Sequence, residues 1–187
     1  MDFSVSRDII PVNCARQYNT RAIKTIAETN HYNVFSASDR KKILDYLRDS
    51  TNIYDLALVF AFQLCCRAGE LRAFHWEDLD GDDDFIIIRR EIVLRPDEQG
   101  KNHFIEVLHT KTGNDFGVRK QPLNSTAKET LNTIRRIYGG DSTYIFTSRN
   151  GKFLYETPLG RHLRAACEGA CVEPRSIHKI RFWMASA

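Results

Sequence analysis

LCCRAGELRAFHWEDLD, residues 64–80, joins a nearly all-apolar run to a charged one. The preceding residues, NIYDLALVFAFQLCC (52–66), are apolar on almost every side, as in a helix buried at the centre of a domain. Arg67 emerges directly from that run. A guanidinium so placed lies deep only if an anion or a carboxylate partners it. Glu70, one helical turn on, is the carboxylate at hand for a structural ion pair.

Upstream, SASDRKKILDYLRD (36–49) predicts a helix with Ser36 or Ser38 as its N-cap and Ile43, Leu44 and Leu47 on one face. Residues 1–34 have no sustained periodicity and read as a linker or the remnant of an upstream domain, leaving 35–187 as the main domain. Downstream, after the acidic turn GDDD (81–84), FIIIRREIVLR (85–95), HFIEVLHT (103–110) and GVRKQPL (117–123) predict three strands in a small antiparallel meander. Two helices follow. TAKETLNTIRRIYGG (126–140) has Thr126 and Glu129 at capping-box spacing, Leu131, Ile134 and Tyr138 as its apolar stripe, and Gly139 as its stop. YETPLGRHLRAACEGA (155–170) has Thr157 as N-cap and Pro158 at the first helical position. A last helix begins in SIHKIRFWMASA (176–187), with Ser176 as N-cap and His178 and Arg181 on one face. The expected class is α+β: mostly helical, with a small three-stranded antiparallel sheet.

The chain has 187 residues, 42% hydrophobic and 27% charged, enough for one sizeable core. No apolar run reaches the roughly 18 residues of a membrane span, and MDFSVSRDII is not a signal peptide, so a cytoplasmic location is expected. Five cysteines without scaffold spacing argue against a disulfide framework, and neither Cys65-Cys66 nor CEGAC (167–171) has the second ligand pair a zinc site needs. The net charge of +3 is unevenly distributed. Residues 1–100 carry 13 Lys and Arg against 17 Asp and Glu, whereas residues 101–187 carry 14 against 7. A basic second half suits a polyanion.

Four basic residues stand at element edges: Arg67, Lys111 in the turn HTKTGN (109–114), His178 and Arg181. Two arginines, a lysine and a histidine without clustered carboxylate ligands suit a phosphodiester passing through a pentavalent state. Arginine forks hold the non-bridging oxygens, lysine protonates a leaving oxygen, and histidine moves a proton near neutral pH. Metal-free phosphoryl transfer is the chemistry this set describes.

These segments resemble the tyrosine recombinases, the integrases of phages and mobile elements. LCCRAGELRAFHWEDLD is similar to that family's first arginine box, HTKTGNDFGVRKQPL (109–123) to its β-hairpin with the catalytic lysine, and HKIRFWMAS (178–186) to its His-x-x-Arg box, all in family order. The resemblance implies a catalytic domain in which Arg67 and Arg181 clamp the scissile phosphate, Lys111 is the general acid toward the 5′ oxygen, His178 assists proton transfer and Glu70 is structural support. It also implies DNA cleavage and rejoining through a 3′-phosphotyrosine, with double-stranded DNA and full-length recombinase protomers as partners and no cofactor or metal. Leu64 and Cys65 stand where the family has Thr-Gly, and Phe182 and Trp183 where it often has a polar pair. The family's nucleophilic tyrosine follows the His-x-x-Arg box, whereas the seven tyrosines here (18, 32, 46, 54, 138, 144 and 155) all precede His178. The expectation is therefore a fragment without its nucleophile, with a non-catalytic DNA-binding remnant or a pseudogene product as the alternative.

Overall fold

The computed structural model describes residues 34–108 and 118–184. Of the stretch read as a linker, only Val34 falls within them, and Lys111 lies outside them. Ser36 caps the first helix, α1 (Ala37–Leu47): its hydroxyl accepts the Asp39 N–H at 3.0 Å while the Asp39 carboxylate accepts the Ser36 N–H at 2.9 Å. Asn52 then caps α2 (Ile53–Leu64), accepting the Tyr54 N–H at 2.9 Å. Eight of the twelve residues of α2 are buried, Ala57, Leu58 and Phe60 completely. This helix forms the axis of the core. It packs against α1, α4 (Ser125–Tyr138), α5 (Glu156–Gly169) and α6 (His178–Met184).

How α2 ends determines where the site begins. Cys65 takes a left-handed conformation, φ 50°, and its N–H closes the helix on the Ala61 carbonyl. The chain turns, and Arg67, in extended conformation, starts the short helix α3 (Ala68–Arg72). A 3-10 turn, Trp76–Asp78, leads into β1 (Leu79–Asp80).

The strands form two units where the sequence predicts one meander. β1, β2 (Phe85–Ile88) and β5 (Arg119–Pro122) make the antiparallel three-stranded sheet, with β2 in the middle and Ile88 facing Arg119. The run FIIIRREIVLR breaks at Arg89-Arg90 because both guanidiniums turn to the buried Asp78: Arg89 Nε donates to it at 2.7 Å, and Arg90 joins both Asp78 and Glu77. Its second half, β3 (Glu91–Pro96), pairs with β4 (Asn102–Val107) as a separate hairpin. Gly69 of α3 permits the hairpin's approach, since a Cβ there would stand 2.9 Å from the Ile92 carbonyl oxygen.

Two helix starts also differ from expectation. Asn124, ahead of Thr126, caps α4 by accepting the Ala127 N–H at 2.9 Å. α5 begins at Glu156 without a side-chain cap, which places Thr157 and Pro158 inside its first turn. Gly139, φ 76°, ends α4 as read from the sequence.

Candidate anion-binding site

Glu70 organises one wall of the site. Its side chain is fully buried. One oxygen, Oε2, accepts the Arg67 backbone N–H at 2.8 Å, and Oε1 accepts Arg67 Nη1 at 2.8 Å. From β5, Arg119 closes a bidentate fork on the same carboxylate, with Nη1 at 3.0 Å and Nη2 at 2.7 Å. Burial alone would push the Glu70 carboxyl up. The hydrogen bonds from Arg119 and from both ends of Arg67 outweigh that and hold it below the usual carboxylate range. The same fork raises the Arg119 guanidinium above its ordinary value. Glu70 therefore stays ionised and fixes Arg67 by backbone and side chain together, while the Arg67 side chain keeps 32% of its surface exposed.

A second wall is supplied by α6. Ile177 and Ile180 are buried, and the Cys65 thiol lies 3.9 Å from the Ile180 carbonyl oxygen. These apolar anchors hold the short helix against the end of α2 and leave His178 and Arg181 exposed. Arg67, His178 and Arg181 line one cavity of about 530 Å³, together with Cys66, Arg72 and Glu156. Residues distant in sequence thus converge. Burial, reinforced by the nearby Glu70 charge, pushes the Cys66 thiol up and keeps it protonated beside them.

Sequence reasoning missed three participants. Arg119 sits in a strand whose alternation gives no sign of a buried partner. Arg72 is 2% exposed; its Nε donates to the Leu154 carbonyl at 2.8 Å, and Nη1 lies 3.4 Å from Glu156 Oε2. Burial lowers the Arg72 guanidinium below its ordinary value, against the pull of Glu156 and Tyr155. Glu156 also approaches His178, with 3.7 Å between Oε1 and Nε2. The spacing of Arg67 and Arg72 within RAGELR (67–72) offered a signal for the second arginine, because the two stand at the start and the end of the same short helix.

Among the described residues no tyrosine lines this cavity. Tyr54 stacks on His162, and the Tyr138 hydroxyl donates to the Thr51 carbonyl at 2.7 Å. Tyr144 donates to Glu106 at 2.7 Å, and burial followed by that carboxylate pushes its hydroxyl up to about 12. Tyr155 packs on Phe104 and Phe153. A larger cavity, about 840 Å³, is lined by Tyr54, Tyr138, Arg149, Tyr155 and His162. Its one imidazole is held by Asp55 at 2.7 Å, and among the described residues one arginine lines it where three line the smaller one. No helix of the described residues is long and apolar enough to cross a membrane, and among them no group of three His, Cys, Asp or Glu side chains stands together as metal ligands would.

No protein-family model and no curated protein matches the chain. Solved structures do. The Tn1549 transposon integrase in complex with transposon right end DNA is similar with a TM-score of 0.72 and 18% identity, over 98% of this chain and 61% of that one. The lambda integrase catalytic core gives 0.56 and 20%, over 82% and 81%. The XerA recombinase gives 0.59 and 16%, over 82% and 48%. The chain thus spans less than two thirds of the transposon integrase chain. The fold is the tyrosine recombinase catalytic fold, α+β as expected from the sequence.

Proposed function

We propose that the chain is a catalytic-domain portion of a tyrosine-type site-specific recombinase, an integrase acting on double-stranded DNA with other recombinase protomers as partners. The observation that carries this reading is the convergence of Arg67, His178 and Arg181 on one cavity. Arg67 and Arg181 belong to different elements that line the same cavity, and in this reading their two guanidiniums share the non-bridging oxygens of a single phosphodiester and stabilise the charge that grows on them as phosphorus becomes pentavalent. His178 at the rim moves a proton, and Lys111 delivers one to the departing 5′ oxygen. Glu70 holds Arg67 and takes no part in the chemistry. The strand-cleaving step is attack of a tyrosine oxygen on phosphorus, forming the 3′-phosphotyrosine bond as the bond to the 5′ oxygen breaks.

A second reading, DNA binding without cleavage by this 187-residue chain, is favoured by the absence of a tyrosine at the cavity among the described residues. Attack needs the oxygen within about 3–3.5 Å of phosphorus. Two measurements test both readings. Fluorescence anisotropy with a short duplex should give binding that weakens with salt, with a slope of log K on log salt near about −3.6 for about four neutralised phosphates. Binding indifferent to salt would remove the integrase reading. A nicked duplex that traps phosphotyrosyl adducts, run on a denaturing gel, should give no shifted band. An adduct abolished by Arg67→Ala would remove the second reading.

A further inference from the structure

Arg72 has no place in the set of residues just assigned, yet it borders the same cavity and, unlike the exposed Arg181, has a guanidinium nitrogen buried without a partner. Its guanidinium is almost wholly buried, with Nε on the Leu154 carbonyl, and lies 4.8 Å from the Phe104 ring centroid. Nη2 is buried without any hydrogen-bond partner among the described residues. A buried guanidinium nitrogen without an acceptor is costly, and such groups in folded proteins call for an explanation. The carboxylate supplied to this side chain, Glu156, does not remove the deficit. It reaches Nη1 alone, at the long distance of 3.4 Å, while its other oxygen lies 3.7 Å from His178 Nε2. Glu156 is itself 44% exposed at the start of α5, free of the packing that fixes Arg72.

We infer that Glu156 is an internal counter-anion which a phosphodiester displaces, and that Arg72 then becomes a third guanidinium contact to the bound phosphate backbone. The inference rests on the reading of this cavity as a phosphate site. A carboxylate between a buried arginine and a histidine occupies the kind of position a phosphate oxygen takes. It offers two oxygens to groups on either side and satisfies neither at good hydrogen-bond distance. A phosphodiester brings two non-bridging oxygens plus the ester oxygens, carries its own negative charge, and is repelled by Glu156 while that side chain stays in place. Swinging Glu156 out toward water frees Nη1 of Arg72, the one nitrogen it reached, for an oxyanion whose second oxygen can go to the unpartnered Nη2. The exposed carboxylate loses little by rehydrating, so Glu156 is the mobile member and Arg72 the fixed one. Glu91, the other carboxylate bordering the cavity, is buried on β3 and lacks that freedom.

The test is titration of the isotope-labelled 187-residue chain with inorganic phosphate, followed by NMR of backbone amides and arginine Nε–H groups. Glu156→Gln keeps the side-chain shape and removes the charge; it should tighten phosphate binding about threefold to fivefold. That gain should vanish in the Arg72→Met background. Should Arg72→Met not fold, the Arg72 Nε–H resonance of the unsubstituted chain serves: it shifts on phosphate addition if the guanidinium takes the anion. Arg67→Gln separates this inference from the reading beneath it. If Arg67→Gln binds phosphate as the unsubstituted chain does, the phosphate site itself is wrong. If Arg67→Gln loses binding while Glu156→Gln gains none, or the Arg72 signal stays fixed as phosphate binds, the cavity stands and the role given to Glu156 and Arg72 is overturned.

Discussion

The two walls of the cavity are built by opposite means. On α3, Arg67 is fixed by a fully buried carboxylate that it shares with Arg119, so its position is set by directional bonds rooted in the interior. On α6, His178 and Arg181 are fixed indirectly, by Ile177 and Ile180 sinking into the core beneath them. Directional bonding ties function to stability, because the same contacts that aim Arg67 hold α3 to β5. Apolar anchoring separates them, because the side chains facing solvent are not the ones that hold the helix down. Substitutions on the two walls should therefore behave differently.

The largest contrast is expected from Glu70→Ala against Arg181→Ala. Removing Glu70 leaves Arg67 and Arg119 without the carboxylate between them and opens space in the core. Breaking a buried ion pair costs about 3–5 kcal/mol, and because both arginines reach solvent and rehydrate, about 3 kcal/mol is expected. Arg181→Ala, on an exposed position, should change stability by less than about 0.5 kcal/mol. Urea unfolding of the two variants decides it. Equal losses would break the distinction between the walls.

A smaller effect should appear on acidification. The Glu70 carboxyl is held below its ordinary value of 4.5 in the fold. A depressed carboxyl contributes stability that is fully present above its unfolded value and is lost as pH falls through the folded one. Melting temperatures followed from about pH 6 downward should therefore fall more steeply for the unsubstituted chain than for Glu70→Gln, which has nothing to protonate there. Parallel curves would mean that Glu70 is not the group being titrated.

Much of this was readable in advance, for reasons that differ by element. α2 announced itself through an apolar surface on every side, and Glu70 through its place one turn after Arg67. The three boxes in order carried the fold. What stayed hidden depended on tertiary partners. Nothing in FIIIRREIVLR reveals that Arg89 and Arg90 leave the strand direction for Asp78, splitting one expected strand into two. Asn124 displaced Thr126 as the cap of α4 because local spacing permitted both, and the Asn124 side chain is the one that reaches a free backbone N–H. Arg119, Arg72 and Glu156 gain their meaning only from residues far along the chain, beyond the reach of a local pattern.

The smallest expected difference is also the sharpest. If Arg67 and Arg181 each meet a phosphate, Arg67→Ala and Arg181→Ala should each flatten the salt dependence of duplex binding by about one contact, about 0.9 in slope. On that axis the two walls look alike. They separate on stability, since Arg67→Ala also removes a hydrogen bond to a buried charge, costing about 1.5 kcal/mol, while Arg181→Ala removes none that holds the fold. Glu70 keeps Arg119 in the first case, which is why the loss stays below that of Glu70→Ala. Measuring slope and urea midpoint on the same two proteins distinguishes a residue that binds from one that binds and builds. A slope change confined to Arg67→Ala would mean that α6 does not present Arg181 to DNA at all, and the cavity would then have one functional wall.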